Sequence, residues 1–89
     1  MKNDKDLHYK SATELVAALA DRKISSTELL EETISRIEIF DKKINAIPVR
    51  DFERARAIAN AADAAIAEGK RLPLLGLPMT VKESFNIFF

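Results

Sequence analysis

Cysteine is absent from the 89 residues, and His8 is the only histidine. A chain without thiols can form neither a disulfide framework nor a thiolate metal site, and one imidazole cannot build a histidine site. No metal and no cofactor is expected. Charge of one sign is also missing, because fourteen Lys plus Arg balance fourteen Asp plus Glu. That balance leaves no long-range field to draw in nucleic acid or an anionic membrane surface. Tryptophan is absent and tyrosine occurs once, so there is no aromatic platform on which bases could stack. Long apolar runs are lacking too, since nowhere do about 18 uncharged apolar residues stand together as a membrane span requires. The opening stretch "MKNDKDLHYK" is charged and has no apolar signal-peptide core, which makes the cytoplasm the expected compartment.

What is present fits a folded chain of at most one domain. Hydrophobic residues make up 47% and charged residues 31% of 10.0 kDa, against wholesale disorder. A chain this short buries little more than the roughly 60% of its unfolded surface typical of very small domains, so its stability margin is thin.

Residues 1–10 are polar and aperiodic and read as a flexible terminus. Structure begins at Ser11. There "SATE" has the form of a capping box, and Leu15, Ala18 and Leu19 follow at helical spacing, which predicts a helix over about 12–22. Ser25 and Glu28 form a second box ahead of a longer helix, about 26–41, with Leu29, Thr33, Ile37 and Phe40 on one stripe and Leu30 and Ile34 beside it. Glu31, Glu32, Ser35 and Arg36 fall away from that stripe on a solvated face. "NAIPV", residues 45–49, reads as a brief edge strand. Asp51 is placed to cap a third helix, about 52–68, whose inner face carries Phe52, Ala55, Ala59, Ala62 and Ile66 and whose stop is Gly69. Alanines bury little area, so adhesion is expected from Phe52, Ile58 and Ile66. No solenoid repeat is evident.

From Lys70 the character changes. Pro73, Gly76 and Pro78 rule out a helix, and "PMTVKES" alternates with period two, predicting a strand over about 78–84. Thr80, Lys82 and Ser84 share one side of it, with Met79, Val81, Glu83 and Phe85 on the other. On spacing alone Lys82 is an ordinary solvated lysine that discourages edge-to-edge pairing. A lysine becomes a base only where its surroundings favour the neutral amine, and periodicity says nothing of that.

The run from Ser11 to Ile87, and above all "LPLLGLPMTVKESFNI", resembles the amino-terminal region of the amidase signature family, whose members hydrolyse carboxylic amides. That family places Gly-hydrophobic-Pro, a short strand and then Val-Lys-acidic. Gly76, Leu77, Pro78, Val81, Lys82 and Glu83 stand in those places, with Glu83 where aspartate is also common. The resemblance implies an α/β/α parent fold around a mixed sheet, a Ser-cisSer-Lys triad with Lys82 as its general base, and a small amide as substrate.

Neither of the two serines has a matching position here, because no stretch like "GGSSGG" occurs. Ser84 matches neither and reads as a structural hydroxyl. The family usually continues after "FNI" with a small residue and glycine, whereas Phe88 and Phe89 follow here, and three of the five phenylalanines lie in the last five residues. Residues 11–89 are therefore expected to be an incomplete α+β segment of an amidase-like domain, inactive alone, left by a cut, a truncated or frameshifted reading frame, or a partial gene product. Its uncovered apolar faces and terminal strand are expected to make it a homo-oligomer. The alternative is a small non-catalytic helical module that binds itself or a partner. A Schiff-base lysine enzyme would need a pocket that so short a chain can hardly enclose.

Overall fold

A computed structural model describes residues 7–82. Among them the chain forms three helices: α1 (Ala12–Ala20), α2 (Ser26–Ile44) and α3 (Phe52–Ala67). Both expected capping boxes are present. Ser11 Oγ accepts from the Glu14 amide at 3.1 Å while Glu14 accepts from the Ser11 amide at 2.8 Å, and Ser25 and Glu28 repeat the exchange at 2.9 Å each way. Helices α1 and α3 both end in a Schellman motif. After α1 the left-handed residue is Arg22, φ 60°, with Lys23 N–H donating to Ala18 C=O. After α3 it is the expected Gly69, φ 96°, with Lys70 N–H donating to Ala65 C=O.

The core forms where the helices cross. Leu7, Leu19, Ile24, Leu29 and Ile66 make one buried cluster, joined by Leu15, Ala18, Leu75 and Leu77. Leu30, Ile34 and Ala59 make a second between α2 and α3, flanked by Phe52 and Ala55. The inner face of α3 is thus as the spacing predicts. Ile58, however, is 62% exposed, and the adhesive role expected of it falls to Ile66 and Ala59. Leu7 is buried although nothing periodic surrounds it, and Lys10 N–H donates to its carbonyl at 3.3 Å, closing a turn. Residues 1–6 lie outside the described chain.

No strand occurs among the described residues. At 45–49 the reason is local. Helix α2 runs on past 41 to Ile44 and stops at Asn45 in the left-handed region, φ 56°. The Asp41 carboxylate then accepts from the amides of Ala46 at 2.8 Å and Ile47 at 3.1 Å. Those two amides are thereby taken out of any sheet ladder. Residues 78–82 are irregular, with no neighbouring strand to pair, and the remainder of the expected strand, Glu83 and Ser84, lies outside the described residues, as do Phe85, Phe88 and Phe89. Asp51 does precede α3 but its carboxylate caps no amide; it stands 3.6 Å from Arg54 instead.

Candidate functional site

The lysine-bearing segment runs across one end of the helices and is held at several points before it reaches Lys82. Two short turns shape it, Leu75 N–H donating to Leu72 C=O and Leu77 N–H to Leu74 C=O. Within the second of them Gly76 adopts φ 88°, a conformation that side chains resist. Space is scarce there as well. A Cβ on Gly76 would lie 3.3 Å from Leu19 Cδ1 and 3.4 Å from both Ile66 Cδ1 and Ser26 Cβ. Leu75 and Leu77, on either side, pack against the first cluster.

Polar contacts complete the anchorage. The buried Ser26 hydroxyl donates to Gly76 C=O at 2.8 Å. Ser26 is itself fixed, because its amide donates to Asp63 Oδ1 at 2.6 Å and the Thr27 amide to Asp63 Oδ2 at 3.1 Å. The Thr27 hydroxyl lies 2.7 Å from Asp63 Oδ2 and 2.9 Å from Asn60 Oδ1, able to donate to one at a time. A carboxylate from α3 therefore caps the amino terminus of α2, where unpaired amides and the helix dipole favour negative charge. At the start of the segment the Arg71 guanidinium donates to Ile66 C=O at 3.1 Å, Lys70 C=O at 2.6 Å and Ala20 C=O at 3.0 Å. These are carbonyls at or near the ends of α1 and α3.

Lys82 follows Gly76 by six residues and is exposed, as are Met79, Thr80 and Val81. Met79 and Val81, which alternation places opposite Lys82, are exposed as well. Glu83 and Ser84 lie outside the described residues. Two shallow cavities occur elsewhere. The larger, about 320 Å³, is bordered by Val16, Ala20, Leu72 and Leu75 at the side of α1, and the other by Thr33, Ile37, Phe40 and Ile44 on α2. Lys82 lines neither. Among the described residues no group of three histidine, aspartate or glutamate side chains is placed to hold a metal ion. None of the described helices is long and apolar enough to cross a membrane.

A buried carboxylate lies away from the lysine. Burial of Asp41 raises its pKa, but the amides of Ala46 and Ile47 and the Arg50 guanidinium at 2.9 Å outweigh burial and hold the carboxyl below its ordinary value. Glu31, expected on a solvated face, accepts from Arg56 of α3 at 2.6 and 3.1 Å, which lowers its own pKa and raises that of Arg56. Arg36 of the same face stands 5.0 Å over the Phe40 ring. Sequence reasoning missed Ser26, Asp63 and Arg71. The doubled serine Ser25-Ser26 was the available signal, since a cap needs only one.

A model of the amidase family matches residues 28–88. Over 80 residues the chain is 42% identical to a glutamyl-tRNA(Gln) amidotransferase subunit of Psychrobacter cryohalolentis, covering 90% of this chain and 16% of that protein. It is 42% identical over 79 residues to the protein of the same name from Halorhodospira halophila, covering 89% and 16%. The AmiB2 protein of Mycobacterium bovis, named as an amidase, is 40% identical over 82 residues, covering 92% and 18%. The chain thus spans less than a fifth of the length of each of these three relatives.

Proposed function

The chain belongs to the amidase family, and from that membership we propose that it is the amino-terminal portion of an amide-hydrolysing enzyme in which Lys82 is the general base. The neutral amine of Lys82 accepts a proton from an intervening serine hydroxyl, which in turn accepts the proton of the nucleophilic serine. The serine oxygen adds to the amide carbonyl carbon, and backbone N–H groups hold the oxyanion. The C–N bond then breaks, the amine departs with a proton, and water releases the acid from the serine ester. Both serines belong to a glycine- and serine-rich stretch that these 89 residues do not contain, so the chain alone is inactive.

One observation carries this reading: Gly76-Leu77-Pro78 and Val81-Lys82-Glu83 stand in the family's order inside the matched residues. The exposure of Lys82 fits the proposal that the rest of the enzyme, including the mixed sheet of the parent fold, encloses it. The test is a graft of this chain in place of the corresponding stretch of an active family amidase. Hydrolysis of a simple amide is expected to survive the graft and to fall about 100- to 10,000-fold with Lys82→Ala. A Lys82→Ala graft as active as its parent would refute the role of the lysine. Amide hydrolysis by the purified chain itself, lost on Lys82→Ala, would refute its inactivity. We further propose the cytoplasm as its compartment, which cell fractionation checks.

A second reading, a self-associating helical module, is favoured by the exposure of Ile39, Phe40 and Ile44 at the end of α2 and of Leu72, Leu74, Met79 and Val81 along the final segment. The two readings are compatible, because apolar faces awaiting the rest of an enzyme are also available to a second copy of the chain.

A further inference from the structure

Helix α1 carries more apolar surface than the described chain covers. It includes one charged side chain, Glu14, and that one is held in the capping box with Ser11. Leu15, Ala18 and Leu19 form one face, packed into the first cluster. Thr13, Val16, Ala17 and Ala20 recur at i, i+3, i+4 and i+7 and form a second. A helix apolar on two sides is one that is covered on two sides. Here only Leu19 is buried, while Val16 and Ala20 are half-buried and Ala17 is exposed.

The second face is one wall of the cavity of about 320 Å³, and Leu72 and Leu75 are the other. The result is an apolar groove whose far wall belongs to the segment that leads to Lys82. Its recurrence along α1 is the spacing at which one helix receives another. The rim is basic, because Lys70 and Arg71 border the groove and no carboxylate of the described residues does. That charge narrows the choice of occupant. A second copy docked through the same groove would bring two basic rims together. Docked through the end of its α2, it would bring Arg36, Lys42 and Lys43, which stand in the same turns as Phe40 and Ile44. Like charges set together across an interface oppose docking. The chain spans less than a fifth of the length of its relatives, which leaves most of a parent enzyme to supply an acidic complement.

We infer that the groove between α1 and residues 72–75 seats an amphipathic helix from the remainder of the parent enzyme, with apolar side chains inward and a carboxylate toward Lys70. The inference rests on the reading of this chain as the amino-terminal portion of an amidase, and it names the surface by which that portion is held. The same graft tests it through hydrogen exchange instead of hydrolysis. Amides of residues 12–20 are expected to exchange roughly tenfold more slowly in the graft than in the 89-residue chain. Ala17→Glu, at an exposed position, leaves their exchange in the 89-residue chain unchanged and abolishes the gain in the graft, whereas Ala17→Ser keeps it. Lys70→Glu reduces the gain. Equal exchange in graft and chain would overturn the inference, as would an Ala17→Glu graft as protected as its parent. A shift of the isolated chain toward monomer in sedimentation on Ala17→Glu would overturn it in favour of a second copy. A Lys70→Glu graft as protected as its parent would overturn the acidic flank. Lys82→Ala is read by hydrolysis alone, so the loss of the base leaves the exchange result standing, and the loss of the groove leaves the base.

Discussion

Gly76 and Gly69 both adopt positive φ, 88° and 96°, yet their surroundings differ. Nothing lies within 4 Å of a Cβ built on Gly69, whereas one on Gly76 meets three side chains. Gly69→Ala is expected to cost about 1 kcal/mol from backbone strain alone, and Gly76→Ala about 2 kcal/mol because Leu19 and Ile66 must also shift. Urea melts of the two variants measure the difference, and equal midpoints would contradict it. Asp41 gives the pH dependence at this scale. Its folded pKa lies below the unfolded one, as do those of Glu14, bonded chiefly to the Ser11 amide, and Glu31, bonded to Arg56. A depressed carboxyl contributes stability that is full above its unfolded value, about 4, and is lost as pH falls through the folded value. Thermal midpoints are therefore expected to be level from about pH 7 to 5 and to drop below about pH 4, with a shallower drop in Asp41→Asn. Asp63 was not legible beforehand because Ser26 and Thr27 lie 37 and 36 residues away, and Asp41 was missed although Ala46, Ile47 and Arg50 are near in sequence, because the left-handed turn at Asn45 that brings them to the carboxylate leaves no periodic pattern. The lysine segment was legible through its residue order, and its anchorage was not.

At the scale of elements, the two capping boxes and the glycine stop read correctly, whereas the Asp51 cap and the contacts between distant segments did not. The two capping boxes close over three residues and appear as written, and Gly69 stops α3 as its type suggests. The cap expected of Asp51 went instead to an ion pair with Arg54, and the cap that ties two helices comes from Asp63, 37 residues from Ser26. No local pattern encodes such a pairing. Edge strands failed for a related reason, since a strand exists only with a partner, and residues 45–49 meet the Asp41 carboxylate first. The energetic ranking follows. Ser25→Ala removes one local cap, about 1 kcal/mol, whereas Asp63→Ala strands the Ser26 and Thr27 amides, about 2 kcal/mol or more, the Thr27 hydroxyl keeping Asn60. Denaturant midpoints should fall in that order, and a Ser25→Ala variant less stable than Asp63→Ala would reverse the assignment.

Across the whole molecule, apolar surface is left over. Phe40 is 56% exposed although it lies on the inner stripe of α2, because α3 covers the amino-terminal part of that stripe and not its end. Ile39 and Ile44 extend the patch, and equal numbers of positive and negative side chains give no net repulsion to keep copies apart. Sedimentation velocity at tens of micromolar is expected to show a dimer or larger assembly, with Phe40→Glu shifting it toward monomer. A monomeric parent chain under those conditions would end the self-association proposal.

Arg71 gives the first and last helices a common clasp. Its planar head reaches the carbonyls of Ala20, Ile66 and Lys70 together, so withdrawing it loosens all three at once, although Ile66 C=O keeps the Gly69 amide. Melting at that corner should be cooperative: α1, the tail of α3 and the stretch leading to the lysine would come loose as one piece, and none of them could fray at leisure while the others stayed shut.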